Sequence, residues 1–218
     1  MPHAVKAVIF DLDGTLLNTL DDLHNSVSYA LAALSLPSRT KEETRLAVGD
    51  GIGNLIARSI KGGKDDPQFE ACLSLFRKHY ETHNALFTAP YPEILPLLSS
   101  LRAKGILIGV VSNKIDSAVQ TLTRRYFDTL IDCAVGEREG VRRKPAPDSL
   151  LYCLEQLNVS PERAVYVGDS EQDILTAKNA GLPALSVTWG FRDKAALLAA
   201  GATTLIDSPC EILDYLEI

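Results

Sequence analysis

The chain of 218 residues lacks any apolar run approaching the roughly 20 residues that a membrane-spanning helix needs. Its first apolar stretch is only as long as a strand, and no basic segment of a secretion signal precedes it. The cysteines are few and scattered, at Cys72, Cys133, Cys153 and Cys210, and they form no C-x-x-C pair. This usage is typical of free thiols in a reducing compartment. We therefore expect a cytoplasmic protein without a membrane partner.

Positive charge is also scarce. Lysine and arginine number 22 against 28 aspartates and glutamates, which gives a formal net charge of -6. This balance argues against nucleic acid as the main partner. A small anionic substrate stays possible, but it would need a local cluster of cations or a metal ion.

Short β-branched strands alternate with amphipathic helical segments through most of the chain. The strands are predicted at Val5–Phe10, Ile106–Val111, Leu130–Val135, Ala164–Val167, Ala184–Val187 and Thr204–Ile206. The helices between them are predicted at Glu93–Lys104, Ile115–Tyr126, Pro147–Leu157, Gln172–Ala180 and Lys194–Ala200. Such alternation predicts an α/β protein with a Rossmann-like parallel sheet covered on both faces.

The alternation is interrupted between the first two strands by a long stretch with almost no strand signal. Helical patterns fill it, at 20–36, Glu42–Val48, Ile52–Ser59 and Pro67–Leu86. A block of this length exceeds an ordinary connection between a strand and a helix. We therefore predict an α/β core formed by 1–16 and 90–218, with a helical cap domain inserted at 17–89.

The most informative segment is VKAVIFDLDGTLLNTL, residues 5–20, in which an apolar stretch ends at two aspartates. Asp11 and Asp13 are one residue apart, so strand alternation puts them on the same side of the chain. Ligands of open α/β sheets bind beyond the carboxyl ends of the strands. We predict that both carboxylates converge on one metal ion there. The alternative is a strand followed by an ordinary Asp-Gly turn.

Three further segments place polar residues where an apolar strand or a loop gives way to a helix. They are VVSNK with Ser112 and Asn113, RRKPAPD with Lys144, and AVYVGD with Asp169, followed four residues later by Asp173. Taken singly, each is typical of a turn, a helix cap or a solvated loop. Their order predicts that one sheet edge gathers them together with Asp11. The sequence leaves open whether Lys114 faces a phosphate.

These groups are chemically consistent with phosphoryl transfer. Carboxylates repel one another unless a cation is present, so Asp11, Asp13 and Asp169 predict an oxygen-liganded metal ion, most naturally Mg²⁺. Lys144 would keep Asp11 ionised and neutralise a bound anion. Ser112 and the amides after it would bind anionic oxygens at a helix N-terminus. Asp11 would attack phosphorus to form an acyl-phosphate, while Asp13 would act as acid and then as base.

The motifs resemble those of the haloacid dehalogenase superfamily, and the whole pattern is similar to its phosphoglycolate phosphatase-like branch. The similarity is carried by DLDGTLLNTL, VVSNK, RRKPAPD and VGDSEQDILTAKNAG, and it extends to PYPEILPLLSSLRAKG, VTWGF and GATTLIDSPCEI. One departure is Glu93 in PYPE, where many members of the branch have glycine.

The resemblance implies a role for each matching residue. Asp11 is the implied nucleophile, and Asp13 is the implied acid and base. The implied metal ligands are the Asp11 side chain, the Asp13 backbone carbonyl and Asp169, with Asp173 acting through water. The expected substrate-binding residues are Thr15, Ser112, Asn113 and Lys144. The insertion would be a cap that closes over the substrate.

We therefore expect a Mg²⁺-dependent phosphatase of a small phosphorylated metabolite, with 2-phosphoglycolate favoured because a sealed site suits a short anion. A phosphosugar mutase would use the same motifs but return the phosphoryl group to its substrate. An inorganic pyrophosphatase would prefer a substrate without carbon. The non-enzymatic alternative is a receiver-like phospho-switch module, against which the insertion and Asp13 argue. The oligomeric state is left open between monomer and homodimer.

Overall fold

The computed structural model describes residues 4–218 and divides the chain into two compact units. The first unit takes the described residues up to Leu17 together with Pro90–Ile218, and the second unit is Asn18–Ala89. The insertion expected at 17–89 differs from the second unit by one residue at its start. Below, the first is called the α/β unit and the second the inserted unit.

Strands and helices alternate along the α/β unit. Over residues 4–218 the strands are β1 (Ala7–Phe10), β2 (Leu17–Asn18), β3 (Ala89–Pro90), β4 (Leu107–Ile115), β5 (Cys133–Glu137), β6 (Ala164–Gly168), β7 (Ala184–Val187) and β8 (Leu205–Ile206). The α-helices are α1 (Leu20–Ala33), α2 (Lys41–Ala47), α3 (Ile52–Ser59), α4 (Phe69–His83), α5 (Ile94–Ala103), α6 (Asp116–Phe127), α7 (Asp148–Gln156), α8 (Glu171–Ala180), α9 (Lys194–Ala199) and α10 (Glu211–Leu216). No helix within this range is long and apolar enough to cross a membrane.

Six strands of the α/β unit form a parallel sheet in the order β5-β4-β1-β6-β7-β8. In its middle, Phe10 of β1 pairs with Val110 of β4 and Val167 of β6. All four residues of β1 are fully buried, as expected of a parallel sheet with both faces covered. The strand order runs outward from β1 in both directions. This is the kind of switch point at which open α/β sheets bind ligands.

The inserted unit is built from α1 to α4. Within it, α1 packs against α2 and α4, and α3 also packs against those two helices. The buried apolar residues recur at helical spacing, with Leu23, Val27 and Leu31 in α1 and Leu73, Phe76 and Tyr80 in α4. A capping box starts α2, since the side chains of Thr40 and Glu43 each bond the other residue's backbone N–H.

Two predicted strand boundaries were wrong. The strand expected at Leu130–Val135 begins only at Cys133, because Asp128–Leu130 forms a 3₁₀ turn. The strand expected to end at Val111 continues to Ile115, so Ser112 and Asn113 lie inside β4. Pairing with β5 loses its register between Val111 and Ile115. That irregularity frees the polar end of β4 from a regular ladder.

Two features near the helix ends were not anticipated. The C-terminal helix α10 was not predicted at all. Glu93, which precedes α5, has φ 65° and ψ -3°. This left-handed conformation costs a residue with a side chain roughly 1–2 kcal/mol, so the position favours the glycine that many members of the resembled branch carry.

Candidate active site

Asp11 lies one residue beyond β1, at the carboxyl edge of the sheet. Its backbone N–H donates to the carbonyl of Val167 in β6 at 2.8 Å, which extends the hydrogen-bond ladder past the end of the strand. Its buried carboxylate accepts from the N–H of Leu12 at 2.7 Å and from Nζ of Lys144 at 2.9 Å. The predicted nucleophile is therefore anchored through its backbone and paired through its side chain with the predicted lysine.

Lys144 is buried, and its ammonium group faces three acceptors. These are Oδ1 of Asp11 at 2.9 Å, Oδ1 of Asp173 at 2.6 Å and the hydroxyl of Tyr166 at 3.2 Å. The amide of Asn113 bonds the backbone of Lys144 on both sides, accepting from its N–H at 2.9 Å and donating to its carbonyl at 3.3 Å. Asn113, expected to bind substrate, is thus placed to orient Lys144.

Three buried carboxylates gather beside this lysine. One oxygen from each of Asp11, Asp169 and Asp173 lies within 4.8 Å of the others. The expected group was Asp11, Asp13 and Asp169. Within residues 4–218, Asp173 takes the place of the Asp13 carboxylate in this group. Only Lys144 contacts two of its members, so the group carries more negative than positive charge.

Electrostatics reflects this excess. Burial raises the pKa of Asp11 well above its ordinary value; Lys144 opposes the rise, and Asp173 and Asp169 add to it. Burial and the charge of Asp173 raise the pKa of Asp169 to about 7, against the hydrogen bond from Phe191. Burial lowers the pKa of Lys144, but the two carboxylates it contacts outweigh burial, and the net pKa lies well above its ordinary value. A hard divalent cation with oxygen ligands would balance such a donor set, so the residues fit Mg²⁺.

Asp169 is held tightly from two sides. Its Oδ1 accepts from the Thr15 hydroxyl at 3.3 Å, and its Oδ2 accepts from the Phe191 N–H at 2.6 Å. Two glycines allow the backbone to come this close. A Cβ atom at Gly14 would lie 2.3 Å from Oδ2 of Asp169, and one at Gly190 would lie 2.3 Å from its Cβ. Thr15, expected to bind substrate, therefore contacts an expected metal ligand.

Asp13 is paired with a cation of its own. Its carboxylate oxygens accept from Nζ of Lys114 at 2.8 and 2.9 Å, and both side chains are largely buried. The prediction that the Asp11 and Asp13 carboxylates converge on one ion was wrong, because Lys114 engages the Asp13 carboxylate outside the three-carboxylate group. The hydroxyl of Ser112 accepts from the N–H of Lys114 at 3.2 Å. The question left open for Lys114 is answered in this way.

Two functional neighbours were missed by sequence reasoning. Tyr166 stands in the middle of β6, and the only signal for it was a hydroxyl within an otherwise apolar strand. Trp189, expected in the core, near the C-terminal loop or at the rim of the site, donates from Nε1 to the carbonyl of Thr15 at 3.0 Å. That bond ties the loop after β7 to the loop that carries both Asp11 and Asp13.

The motifs and this geometry agree with a comparison against known proteins. A family model described as haloacid dehalogenase-like hydrolase matches residues 8–187. The chain belongs to this family. It is 34% identical over 220 residues to the phosphoglycolate phosphatase of Rhodospirillum rubrum, covering 97% of this chain and 90% of that protein. It is also 31% identical over 217 residues to the N-acetylmuramic acid 6-phosphate phosphatase of Pseudomonas aeruginosa, covering 98% and 95%.

A solved structure supports the same conclusion. A protein of Lactobacillus delbrueckii subsp. bulgaricus, inferred to be a phosphoglycolate phosphatase, superposes with a TM-score of 0.94 at 34% identity, covering 98% of this chain and 99% of the other. The α/β fold, the family and its phosphoglycolate phosphatase-like branch are thereby confirmed as predicted. The prediction of an enzyme of the phosphoric monoester hydrolase class is confirmed at that level, which removes the receiver-like alternative.

Proposed function

We propose that this hydrolase acts on a small phosphorylated metabolite, with 2-phosphoglycolate as the favoured substrate, through an aspartyl-phosphate on Asp11. The observation that carries the proposal is the buried pair of Asp11 and Lys144 beside the carboxylates of Asp169 and Asp173. A nucleophilic carboxylate, a fixed cation and an excess of anionic oxygen ligands are the parts that phosphoryl transfer requires.

The proposed metal ion is Mg²⁺. Asp11, Asp169 and the backbone carbonyl of Asp13 would hold it, with Asp173 acting through water. When bound, it would neutralise charge on the phosphoryl oxygens. Its requirement follows from the charge count, since Lys144 alone faces the three carboxylates that cluster there.

Asp11 supplies the nucleophilic oxygen in the first step. A carboxylate oxygen forms a bond to phosphorus while the bond from phosphorus to the substrate oxygen breaks, and the electron pair leaves with that oxygen. Asp13 donates a proton to the leaving oxygen, so an alcohol departs. Lys144 keeps the Asp11 carboxylate ionised and oriented before the attack and offsets the phosphoryl charge during it.

Water completes the reaction in the second step. Asp13, now deprotonated, takes a proton from water as the water oxygen bonds to phosphorus, and the bond from phosphorus to Asp11 breaks. Phosphate leaves and the Asp11 carboxylate is restored. Lys114, which contacts both oxygens of Asp13, would hold that carboxylate at one place between its two proton transfers.

The remaining assignments concern substrate binding. Ser112 at the polar end of β4 and Lys144 would bind the phosphoryl group. Thr15 and Asn113 would act mainly by positioning, since their side chains contact Asp169 and the backbone of Lys144 respectively. We further propose that the inserted unit is the cap, which would exclude water and long or polymeric substrates when it closes.

A sugar phosphate is the second candidate substrate. The specific observation in its favour is the similarity to the N-acetylmuramic acid 6-phosphate phosphatase, which is nearly as close in identity as the phosphoglycolate phosphatase. The same chemistry would act on either substrate. The choice between them would be made by side chains of the cap.

The deciding experiment measures phosphate release with Mg²⁺ from 2-phosphoglycolate, several sugar phosphates, a nucleotide and pyrophosphate. The Asp11→Asn variant, nearly isosteric, serves as the blank. A large advantage in kcat/KM for 2-phosphoglycolate, lost in the variant, is the expected result. An advantage for a sugar phosphate would replace the substrate and keep the mechanism. Phosphate transfer between sugars without net release would indicate a mutase, and activity retained by Asp11→Asn would reject the nucleophile.

A further inference from the structure

The hydroxyl of Tyr166 contacts the charged centre of the active site although the residue lies within a buried strand. Its ring is fully buried in the sheet, and Ile9 of β1 is its partner in the parallel register. The hydroxyl lies 3.2 Å from Nζ of Lys144, 3.1 Å from Oδ1 of Asp173 and 3.2 Å from the carbonyl of Val111. A single phenol thus reaches the lysine, a carboxylate and the strand that carries Ser112.

The hydrogen-bond inventory fixes the direction of these contacts. The ammonium of Lys144 has three protons and no acceptor, so Tyr166 accepts from it. The one phenolic proton is then available to Asp173 or to the carbonyl of Val111. With Asp11 and Asp173 as the other two acceptors, each proton of Lys144 has a partner. Tyr166 supplies the third of these partners and the only uncharged one.

An uncharged third acceptor matters because the two charged ones compete. The contact of Lys144 with Asp173, at 2.6 Å, is shorter than its contact with Asp11, at 2.9 Å. A lysine side chain is flexible, and its ammonium is a point charge without preferred geometry. A phenol on a rigid, buried strand gives that charge a fixed third point. Without it, the ammonium would be drawn towards Asp173 and away from the nucleophile.

We propose that Tyr166 is a positioning residue for catalysis: its hydroxyl fixes the ammonium of Lys144 against Asp11 so that the charge lies where phosphoryl transfer needs it. This inference rests on the proposed function, in which Asp11 is the nucleophile and Lys144 its cation. Preorganised charge lowers a barrier only if it is held in place before the reaction. The effect is therefore expected in kcat rather than in KM.

The test compares Tyr166→Phe with wild type, using p-nitrophenyl phosphate and Mg²⁺ so that the identity of the natural substrate plays no part. The substitution removes one hydroxyl and keeps the buried ring. We expect kcat to fall about tenfold, the consequence of one displaced charge-assisted contact, with KM near the wild-type value. Tyr80→Phe is the matched control, because Tyr80 is a buried tyrosine of the inserted unit whose ring stacks on Phe76.

The outcomes are separable. An unchanged kcat in Tyr166→Phe, a change confined to KM, or an equal loss in Tyr80→Phe would overturn the positioning role. A lower unfolding temperature with kcat per folded molecule intact would show that the hydroxyl is only structural, and would overturn it too. Asp11→Asn is measured beside them. Activity retained by that variant would reject the proposed function itself, whereas an inactive Asp11→Asn with a fully active Tyr166→Phe would reject only this inference.

Discussion

Both units bury carboxylates, but the surroundings of those carboxylates differ. In the inserted unit, Asp22 of α1 is 1% exposed and accepts from the N–H groups of Phe87 and Thr88 and from the Thr88 hydroxyl, at 2.7 to 3.1 Å. In the α/β unit, three equally buried carboxylates lie together and share one lysine. Local dipoles satisfy the first kind of charge, while the second kind is left in excess.

This difference separates structural charge from functional charge. A buried carboxylate surrounded by donors stabilises the segment that supplies them, since breaking the set leaves polar groups without partners. Buried carboxylates that face one another raise each other's energy until a cation joins them. Variants in the two units should therefore have opposite consequences, with activity lost in one and stability lost in the other.

The largest effect is expected for Asp11→Asn in the α/β unit. Removing the nucleophile should lower kcat by a factor on the order of 10⁶, the size found when another hydrolase loses its nucleophile. The unfolding temperature should not fall, because the change relieves repulsion within the carboxylate group. Phosphate release and thermal unfolding check the two parts. A large loss of stability would mean that Asp11 is structural in the way Asp22 is.

Metal dependence is expected to be the next largest effect. Chelation of divalent ions should abolish phosphate release, and Mg²⁺ at a hundred times its dissociation constant should stabilise the wild type by about 2.7 kcal/mol. In Asp169→Asn, Mg²⁺ should no longer raise the unfolding temperature. Glu171→Gln is the control, because that carboxylate pairs with Arg192 instead. A normal Mg²⁺ response in Asp169→Asn would remove Asp169 from the ligand set.

A smaller loss is expected for Lys114→Met. This change leaves the Asp13 carboxylate without its bidentate partner, so the acid and base group loses its fixed position. We expect kcat to fall about 10- to 100-fold, part of what a general acid and base contributes. Lys61→Met, at an exposed lysine of the inserted unit, serves for comparison. Equal activity of the two variants would show that Lys114 has no part in the reaction.

The smallest effect on activity is expected for Asp22→Asn. An amide in place of the carboxylate turns an NH₂ group towards N–H donors, which should lower the free energy of unfolding by about 1–3 kcal/mol. Turnover per folded molecule should stay near that of the wild type. Asp21→Asn removes only an exposed ion pair with Lys41, for which about 0–1 kcal/mol is expected. Equal stability of the two variants would erase the contrast between the units.

Much of this protein can be read from local sequence patterns. The end of the buried strand at Phe10, the aspartates after it and the interruption of the strand-helix alternation all lie within short stretches. Asp11, Lys144 and Asp169 were accordingly predicted together at one edge of the sheet. Such predictions succeed because parallel strands covered by helices have to present their carboxyl ends on the same side.

The pairing of these groups depended on the tertiary structure. Asp173 joins the carboxylate group, Lys114 engages Asp13, Tyr166 meets Lys144 and Asn113 grips the backbone of Lys144. Each of these contacts joins side chains that are brought together by the register of β1, β4 and β6, or by a close approach that Gly14 and Gly190 permit.

The sequence by itself therefore determined the α/β class, the family and which residues carry the chemistry, because hydrophobic periodicity and strand-end motifs are local. Only the tertiary structure decided which carboxylate faces which cation, because a pairing of a few ångströms depends on packing across many residues of chain. For Asp13 that distance in sequence is 101 residues to Lys114.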